Sequence, residues 1–148
     1  MFLLDTNVLS EVRKAGDGRA DANVVAWFSS VEASALYVSA VTLMEIELGI
    51  LRVERRDPGQ GARLRAWMDS RVLPEFQGRT LAVDATVALR CARLHVPDPR
   101  PERDAFLAAT ALVHGLTLVT RNVADFQGSR VEIVNPWERI SHVEEAGC

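Results

Sequence analysis

The stretch Met1-Phe2-Leu3-Leu4-Asp5-Thr6-Asn7 decides how the rest of the chain is read. Its apolar residues run without a break into an acid, a hydroxyl and an amide. A short continuous apolar run bounded by polar turn-formers is the pattern of a strand buried on both faces, as in a parallel sheet. Asp5 then stands at the strand's carboxyl end, and open α/β sheets bind ligands in the crevice beyond those ends. A simpler role competes: Asp5, Thr6 or Asn7 only caps the next helix, a task these residue types do well.

Outward from this stretch, strand and helix patterns alternate. Val8, Leu9 and Val12 give a short amphipathic helix that closes on Arg13-Lys14, with a loop over residues 15–19. Val24, Val25, Trp27, Phe28 and Val31 form a helical stripe, and Leu36-Tyr37-Val38 a second strand. Ser39 to Thr42 turn the chain into a helix carried by Leu43, Met44, Ile46, Leu48, Ile50 and Leu51. Charged residues 52–61 read as a loop or a fraying helix end. Leu64, Trp67, Met68 and Val72 set another helical face, stopped near Pro74. Residues 80–83 are a third strand, and Asp84 caps a helix through Val87, Cys91 and Leu94. Three prolines make residues 96–103 a loop. Residues 106–113 are apolar nearly all round, predicting a buried helix with Gly115 as its stop. Residues 116–119 and 131–134 are the fourth and fifth strands; Pro136 and a charged tail end the fold. This alternation implies a parallel sheet covered on both faces.

Composition narrows the class. A chain of 148 residues with 48% hydrophobic and 25% charged residues is one soluble domain with a proper core. The net charge of −3 gives no bulk sign of nucleic-acid binding, although the 17 basic residues include only one lysine, Lys14. Arg is the better bidentate phosphate ligand. Cys91 and Cys148 form neither a disulfide framework nor a metal-ligand spacing. Asp5 interrupts any signal-peptide core, and the longest uncharged run, residues 105–120, is too short to span a membrane. The expectation is a cytoplasmic protein with no membrane partner.

Placed on this map, the acids fall at strand ends. Asp5 ends strand one, and Glu45 lies in the first turn after strand two. Asn122 and Asp125 follow strand four in Thr120-Arg121-Asn122-Val123-Ala124-Asp125-Phe126. Asp104 opens the helix feeding strand four and reaches the same edge only if its loop crosses there. Each has a structural alternative: Thr42-x-x-Glu45 is a capping-box spacing, and Asp104 and Asn122-x-x-Asp125 suit helix starts. Capping does not account for so many acids on one edge. Clustered carboxylates raise one another's pKa unless a cation neutralises them, and Mg²⁺ or Mn²⁺ are the cations that prefer such ligands.

Leu3-Leu4-Asp5-Thr6-Asn7, Val41-Thr42-x-x-Glu45-x-x-x-Gly49, Asp104-Ala105-Phe106-Leu107-Ala108-Ala109-Thr110-Ala111 and Thr120-Arg121-Asn122-x-x-Asp125-Phe126 together resemble the PIN-domain ribonucleases. The likeness is to VapC-type toxins of toxin–antitoxin pairs, in the FitB-like branch, to which Asn135-Pro136-Trp137 is also similar. It covers essentially all of residues 1–148 as a single PIN domain. The resemblance implies a three-layer α/β/α sandwich with a mostly parallel sheet of four to five strands. It also implies Mg²⁺- or Mn²⁺-dependent endoribonuclease activity, a homodimer, and inhibition by a cognate antitoxin that is a small DNA-binding protein. Asp5, Glu45 and Asp104 match the family's constant acids. Its fourth acidic position falls on Asn122, where many relatives carry Asp, with Asp125 nearby.

The chemistry expected is metal-assisted hydrolysis of RNA phosphodiester bonds. Asp5 and Asp104 would hold the ion, Glu45 would ligate it or orient the attacking water, and Asn122 or Asp125 would fix the remaining shell. Thr6 and Thr120 are candidate hydroxyls behind them. Arg13, Lys14, Arg52, Arg55 and Arg56 are candidate phosphate contacts around the edge. Aspartyl-phosphate transfer needs a Lys on a later strand, which is missing, and no G-x-G-x-x-G follows a strand. The alternative is a catalytically inactive PIN-like module that engages an antitoxin or RNA, and Asn122 is the residue that keeps it open.

Overall fold

The computed structural model describes residues 1–138; the end of the charged tail lies outside them. Five strands among these residues form one sheet: β1 (Phe2–Leu4), β2 (Leu36–Ser39), β3 (Thr80–Leu81), β4 (Thr117–Val119) and β5 (Ile133–Val134), in the order β3-β2-β1-β4-β5. Every pairing is parallel, with Phe2 opposite both Leu36 and Thr117. β1 is therefore the central strand, as its unbroken apolar run requires.

Alternation along β1 builds the two outer layers. Leu4 packs with Val8 and Leu9 of α1 (Thr6–Arg13), Trp27 of α2 (Ala22–Ser30) and Ile46 of α3 (Ala40–Arg56). Leu3 faces the other way, onto Phe126 and onto Leu107, Ala108 and Ala111 of α7 (Glu102–His114). Behind α7, Ala105 and Ala109 meet Val87 and Cys91 of α6 (Ala85–Leu94). The result is the α/β/α sandwich. Leu3, Leu4, Leu118 and Val119 are all fully buried, and burying each side chain contributes about 1.5–3 kcal/mol. No helix among the described residues is long and apolar enough to cross a membrane.

Two boundary signals act as read: Asp84 accepts from the Val87 amide at 3.0 Å, and Gly115 closes α7 at φ +66°. Elsewhere the chain departs from its expected boundaries. Residues 52–61 are not a loop. α3 runs to Arg56, Asp57 takes the cap by accepting from Gln60 N, and Pro58 opens α4 (Pro58–Trp67) at a helix's first position. The charges there are the wet faces of two helices. α4 passes through a π turn, Met68–Val72, into a short α5 (Leu73–Glu75). β3 stops at Leu81 rather than at residue 83, and α7 begins inside the expected proline loop, at Glu102. Ser39, not Thr42, caps α3, its hydroxyl accepting from Val41 N at 3.0 Å. The Thr42 hydroxyl is buried with no partner among the described residues, so Thr42 and Glu45 form no capping box.

Candidate active site

Parallel pairing aligns the carboxyl ends of β1 and β4, and the Asp5 amide donates to the Val119 carbonyl at 2.9 Å. Asp5 is the N-cap of α1: its backbone is extended, and its carbonyl accepts from Val8 N at 3.1 Å. The capping reading therefore holds for Asp5, whereas Thr6 and Asn7 lie inside the helix. Its two carboxylate oxygens divide the work. Oδ1 accepts from Thr6 N at 2.7 Å, and Oδ2 accepts from the Thr120 hydroxyl at 2.7 Å. Thr120 in turn accepts from Asn122 N at 3.1 Å and from Asn7 Nδ2 at 3.5 Å, the full capacity of a hydroxyl. The Asn7 Oδ1 atom beside it is buried and has no partner among the described residues.

The other acids gather around this pair. Glu45 lies in the second turn of α3, not the first, and accepts from the Thr6 hydroxyl at 3.2 Å. Asp104 is the third residue of α7, too deep to cap it, and its loop does cross at the acid edge. Arg103, beside it, reaches Glu45 Oε2 at 3.8 Å. Asp125 sits in a single 3-10 turn after β4, Val123–Phe126.

Burial pushes the Asp5 carboxyl above its ordinary range, the Thr120 and Thr6 bonds pull it down, and the Asp125 charge raises it again. Glu45 is raised by burial and then by Asp5; the Thr6 bond and Arg103 oppose this, and Asp104 adds a smaller rise. Asp104 is raised by burial and then by Asp125 and Asp5. Asp5, Glu45, Asp104 and Asp125 therefore occupy one electrostatic site. Asn122 contributes main chain instead: its N–H goes to Thr120 and its carbonyl accepts from Asp125 N at 3.1 Å.

Arg103 is the site residue that pattern alone overlooks, its signal being its place next to Asp104; Asn7 reads from pattern as a cap and stands instead behind the acids. The expected basic residues do not gather here. Lys14 pairs with Glu11 at 3.4 Å, and Arg13 lies over the Trp67 ring. Arg52, Arg55 and Arg56 are ~10–17 Å further along α3 than Glu45 at the helical rise per residue.

Among the described residues no three His, Cys, Asp or Glu side chains close into a ready-made metal cage. The donors still suit a hard cation. They are oxygens only, they hold one another's pKa up, and an unpaired buried carbonyl oxygen, Asn7 Oδ1, stands behind them. Mg²⁺ asks for one or two carboxylates and keeps several waters. Such an open edge can meet that demand.

The family model described as PIN domain matches residues 2–127. The chain is 34% identical over 146 residues to VapC ribonuclease Y4jK of Sinorhizobium fredii, across 93% of this chain and 99% of that protein. It is 33% identical over 145 residues to toxin FitB of Neisseria gonorrhoeae, again across 93% and 99%. The solved structure of FitAB bound to IR36 DNA fragment matches it with a TM-score of 0.85 at 33% identity, covering 96% of this chain and 99% of that one. Fold, acid edge and these likenesses agree, and the chain belongs to the PIN-domain family.

Proposed function

We propose that this protein is a Mg²⁺- or Mn²⁺-dependent endoribonuclease that acts in the cytoplasm as the toxin of a toxin–antitoxin pair. The carrying observation is the meeting of Asp5, Glu45, Asp104 and Asp125 at one sheet edge, each of the first three raised in pKa. The names VapC ribonuclease and toxin FitB, borne by relatives similar over nearly their whole length, support it.

Asp5 and Asp104 would hold the cation, with Asp125 completing the shell. The cation, when bound, acidifies water and offsets charge on the phosphate. Thr120 and Thr6 fix the rotamers of Asp5 and Glu45 by donating to them. Glu45, held on one oxygen by Thr6 and faced on the other by Arg103, would orient the attacking water and take its proton. Chelation of divalent metal should abolish cleavage of a labelled RNA, and Mn²⁺ should restore it. A preparation that cuts equally well in EDTA would overturn the assignment. Titrating Mn²⁺ by calorimetry separates the nuclease from an inactive module, which would bind none at millimolar metal.

Asp125 rather than Asn122 is assigned the fourth position, because its charge is the one that reaches Asp5 and Asp104. Asp125→Asn should slow cleavage roughly 10- to 100-fold and raise the Mg²⁺ concentration needed. Asn122→Ala should cost much less. Initial rates across a Mg²⁺ series check this, and the reverse order would return the role to Asn122.

FitAB on DNA suggests the partner, a small DNA-binding antitoxin. The acid edge would attract an arginine from it. A small neighbouring gene for a DNA-binding protein would support the pairing. A homodimer is proposed from α3, where Met44 and Leu51, two turns apart on one face, are 48% and 50% exposed. Leu51→Glu should raise the dimer dissociation constant at least about tenfold, since burying an unpaired charge costs well over 1 kcal/mol. Sedimentation equilibrium reads it, and an unchanged dimer would place the interface elsewhere.

A further inference from the structure

A second concave site lies where α6 and the loop before α7 meet the turn that follows Phe126. A cavity of about 360 Å³ lies between the C-terminal half of α6, residues 96–100 and residues 128–130. Four guanidinium groups line it, from Arg90, Arg93, Arg100 and Arg130, against the single carboxylate of Asp98. None of the four stands within ion-pair distance of a carboxylate among the described residues. Four like charges around one hollow repel one another unless an anion joins them.

The cavity is built rather than accidental. Arg100 is held in place: Nε donates to the Leu94 carbonyl at 3.2 Å, Nη1 to the Gln127 carbonyl at 2.9 Å, and its own amide to His95 Nδ1 at 3.1 Å. That leaves Nη2 without a partner among the described residues and facing Gly128, where a Cβ would come within 3.0 Å of it. Arg130 keeps a left-handed backbone, φ +67°, which L side chains seldom adopt and which tends to persist at functional positions. The buried Ser129 hydroxyl, bonded to the Phe126 carbonyl, pins the turn that presents it.

The cavity's position gives its ligand. Arg100 precedes Asp104 by four residues and Gly128 follows Asp125 by three, so the cavity's rim is within about 15 Å of Asp104 and Asp125 along the chain. A strand with one phosphate at the acids can lay another in the cavity. We propose that this pocket is a subsite for a backbone phosphate of the RNA, flanking the one to be cut; the assignment rests on the ribonuclease reading above. Guanidinium forks match phosphate oxygens in pairs, and contacts to phosphate read no base. The site thus adds grip and register without sequence preference.

The test measures binding of a labelled single-stranded RNA to metal-free Asp5→Asn protein over a range of KCl concentrations. Adding Arg93→Gln and Arg130→Gln should weaken binding about tenfold. It should also reduce the slope of log K against log salt by about 0.7 for each phosphate that the variant no longer neutralises. Arg93→Lys with Arg130→Lys should keep most of that slope. Unchanged affinity and slope, in a variant melting like its parent, overturns the subsite, and RNA cleavage by the wild type would leave the nuclease reading standing. Binding that weakens as expected in the variant, beside a wild type that cuts nothing, sinks the nuclease and overturns the place of this phosphate next to a cut one, leaving only an RNA contact. A wild type that neither binds nor cuts RNA overturns both. Pyrophosphate binding by calorimetry that the Gln variant loses while RNA affinity stays constant would assign a free anion instead, and also overturns the proposal.

Discussion

Asp5→Asn should lower RNA cleavage roughly 100- to 1,000-fold while raising the melting temperature of the metal-free protein. The first figure is what about three to four kcal/mol of lost cation and phosphate stabilisation amounts to. The second follows from burial. Asp5 is only 9% exposed, and burial with the Asp125 charge makes its ionised form unfavourable even though Thr120 and Thr6 donate to it. Asn keeps the shape and removes the charge, while its single oxygen keeps one of the two accepted hydrogen bonds. Cleavage at the wild-type rate would discard Asp5 as the metal ligand, and a fall in melting temperature would discard the electrostatic strain. The pH dependence has the same sign. Asp5, Glu45 and Asp104 all have pKa values raised by folding, so the unfolded chain holds fewer protons between ordinary and raised values. Stability of the metal-free protein should therefore fall as pH rises through that window, and Mg²⁺ should flatten the slope by neutralising the carboxylates. Asp17 and Glu47 are depressed by their hydrogen bonds to arginine and act in the opposite sense, at lower pH; Asp17 is exposed and Glu47 half-exposed, so solvent screening keeps their share small.

Gly61→Ala should destabilise the fold by about 1–3 kcal/mol, the usual cost of overpacking. A Cβ at residue 61 would stand 2.5 Å from Glu54 Cγ and 2.6 Å from Glu54 Cα, and a main-chain atom of α3 cannot step aside. Arg65 clamps the same contact, bonding Glu47 at 2.6 Å and Glu54 at 3.0 Å, so α4 has little freedom to back away. Gly59, in the first turn of the same helix, makes the control. Its Cβ would have only an ordinary contact, 3.6 Å from Asp57 Oδ1, and Gly59→Ala should be neutral or stabilising by up to about 1 kcal/mol through helix propensity. Urea unfolding of the two variants distinguishes close approach from mere propensity. Equal effects would show that the α3–α4 contact is slack.

That contact also shows where sequence reading stops. The central strand was legible because burial on both faces leaves an unbroken apolar run, and Asp84 and Gly115 because caps use few residue types. Residues 52–61 misled because Asp57, Pro58, Gly59 and Gly61 are counted as turn formers, although the helix-end alternative fits α3 as far as Arg56. Whether Gly61 breaks a helix or lets two helices touch depends on Glu54, which no local window weighs. The capping of α3 turned on whether β2 ends at residue 38 or 39, a one-residue matter that moved the cap from Thr42 to Ser39. At the site, Asp5 and Glu45 were readable from the parallel topology. Asp104 and the division of labour between Asn122 and Asp125 were not, because each depends on how a loop crosses an edge. The basic residues followed the same rule: those conspicuous in sequence point elsewhere, and Arg103 matters because of what folds against it.

The hydrogen bond from Thr120 to Asp5 joins residues 115 positions apart. At about 5–20 residues per second, a ribosome adds Thr120 roughly 6–23 s after Asp5. Until then the central strand lacks β4, and the carboxylate lacks the donor that orients it. A growing chain thus carries its acids in disarray until β4 is made, whatever RNA lies nearby. Under the function proposed above, competence waits on Thr120, and an inhibitor has no finished edge to meet before that residue is in place.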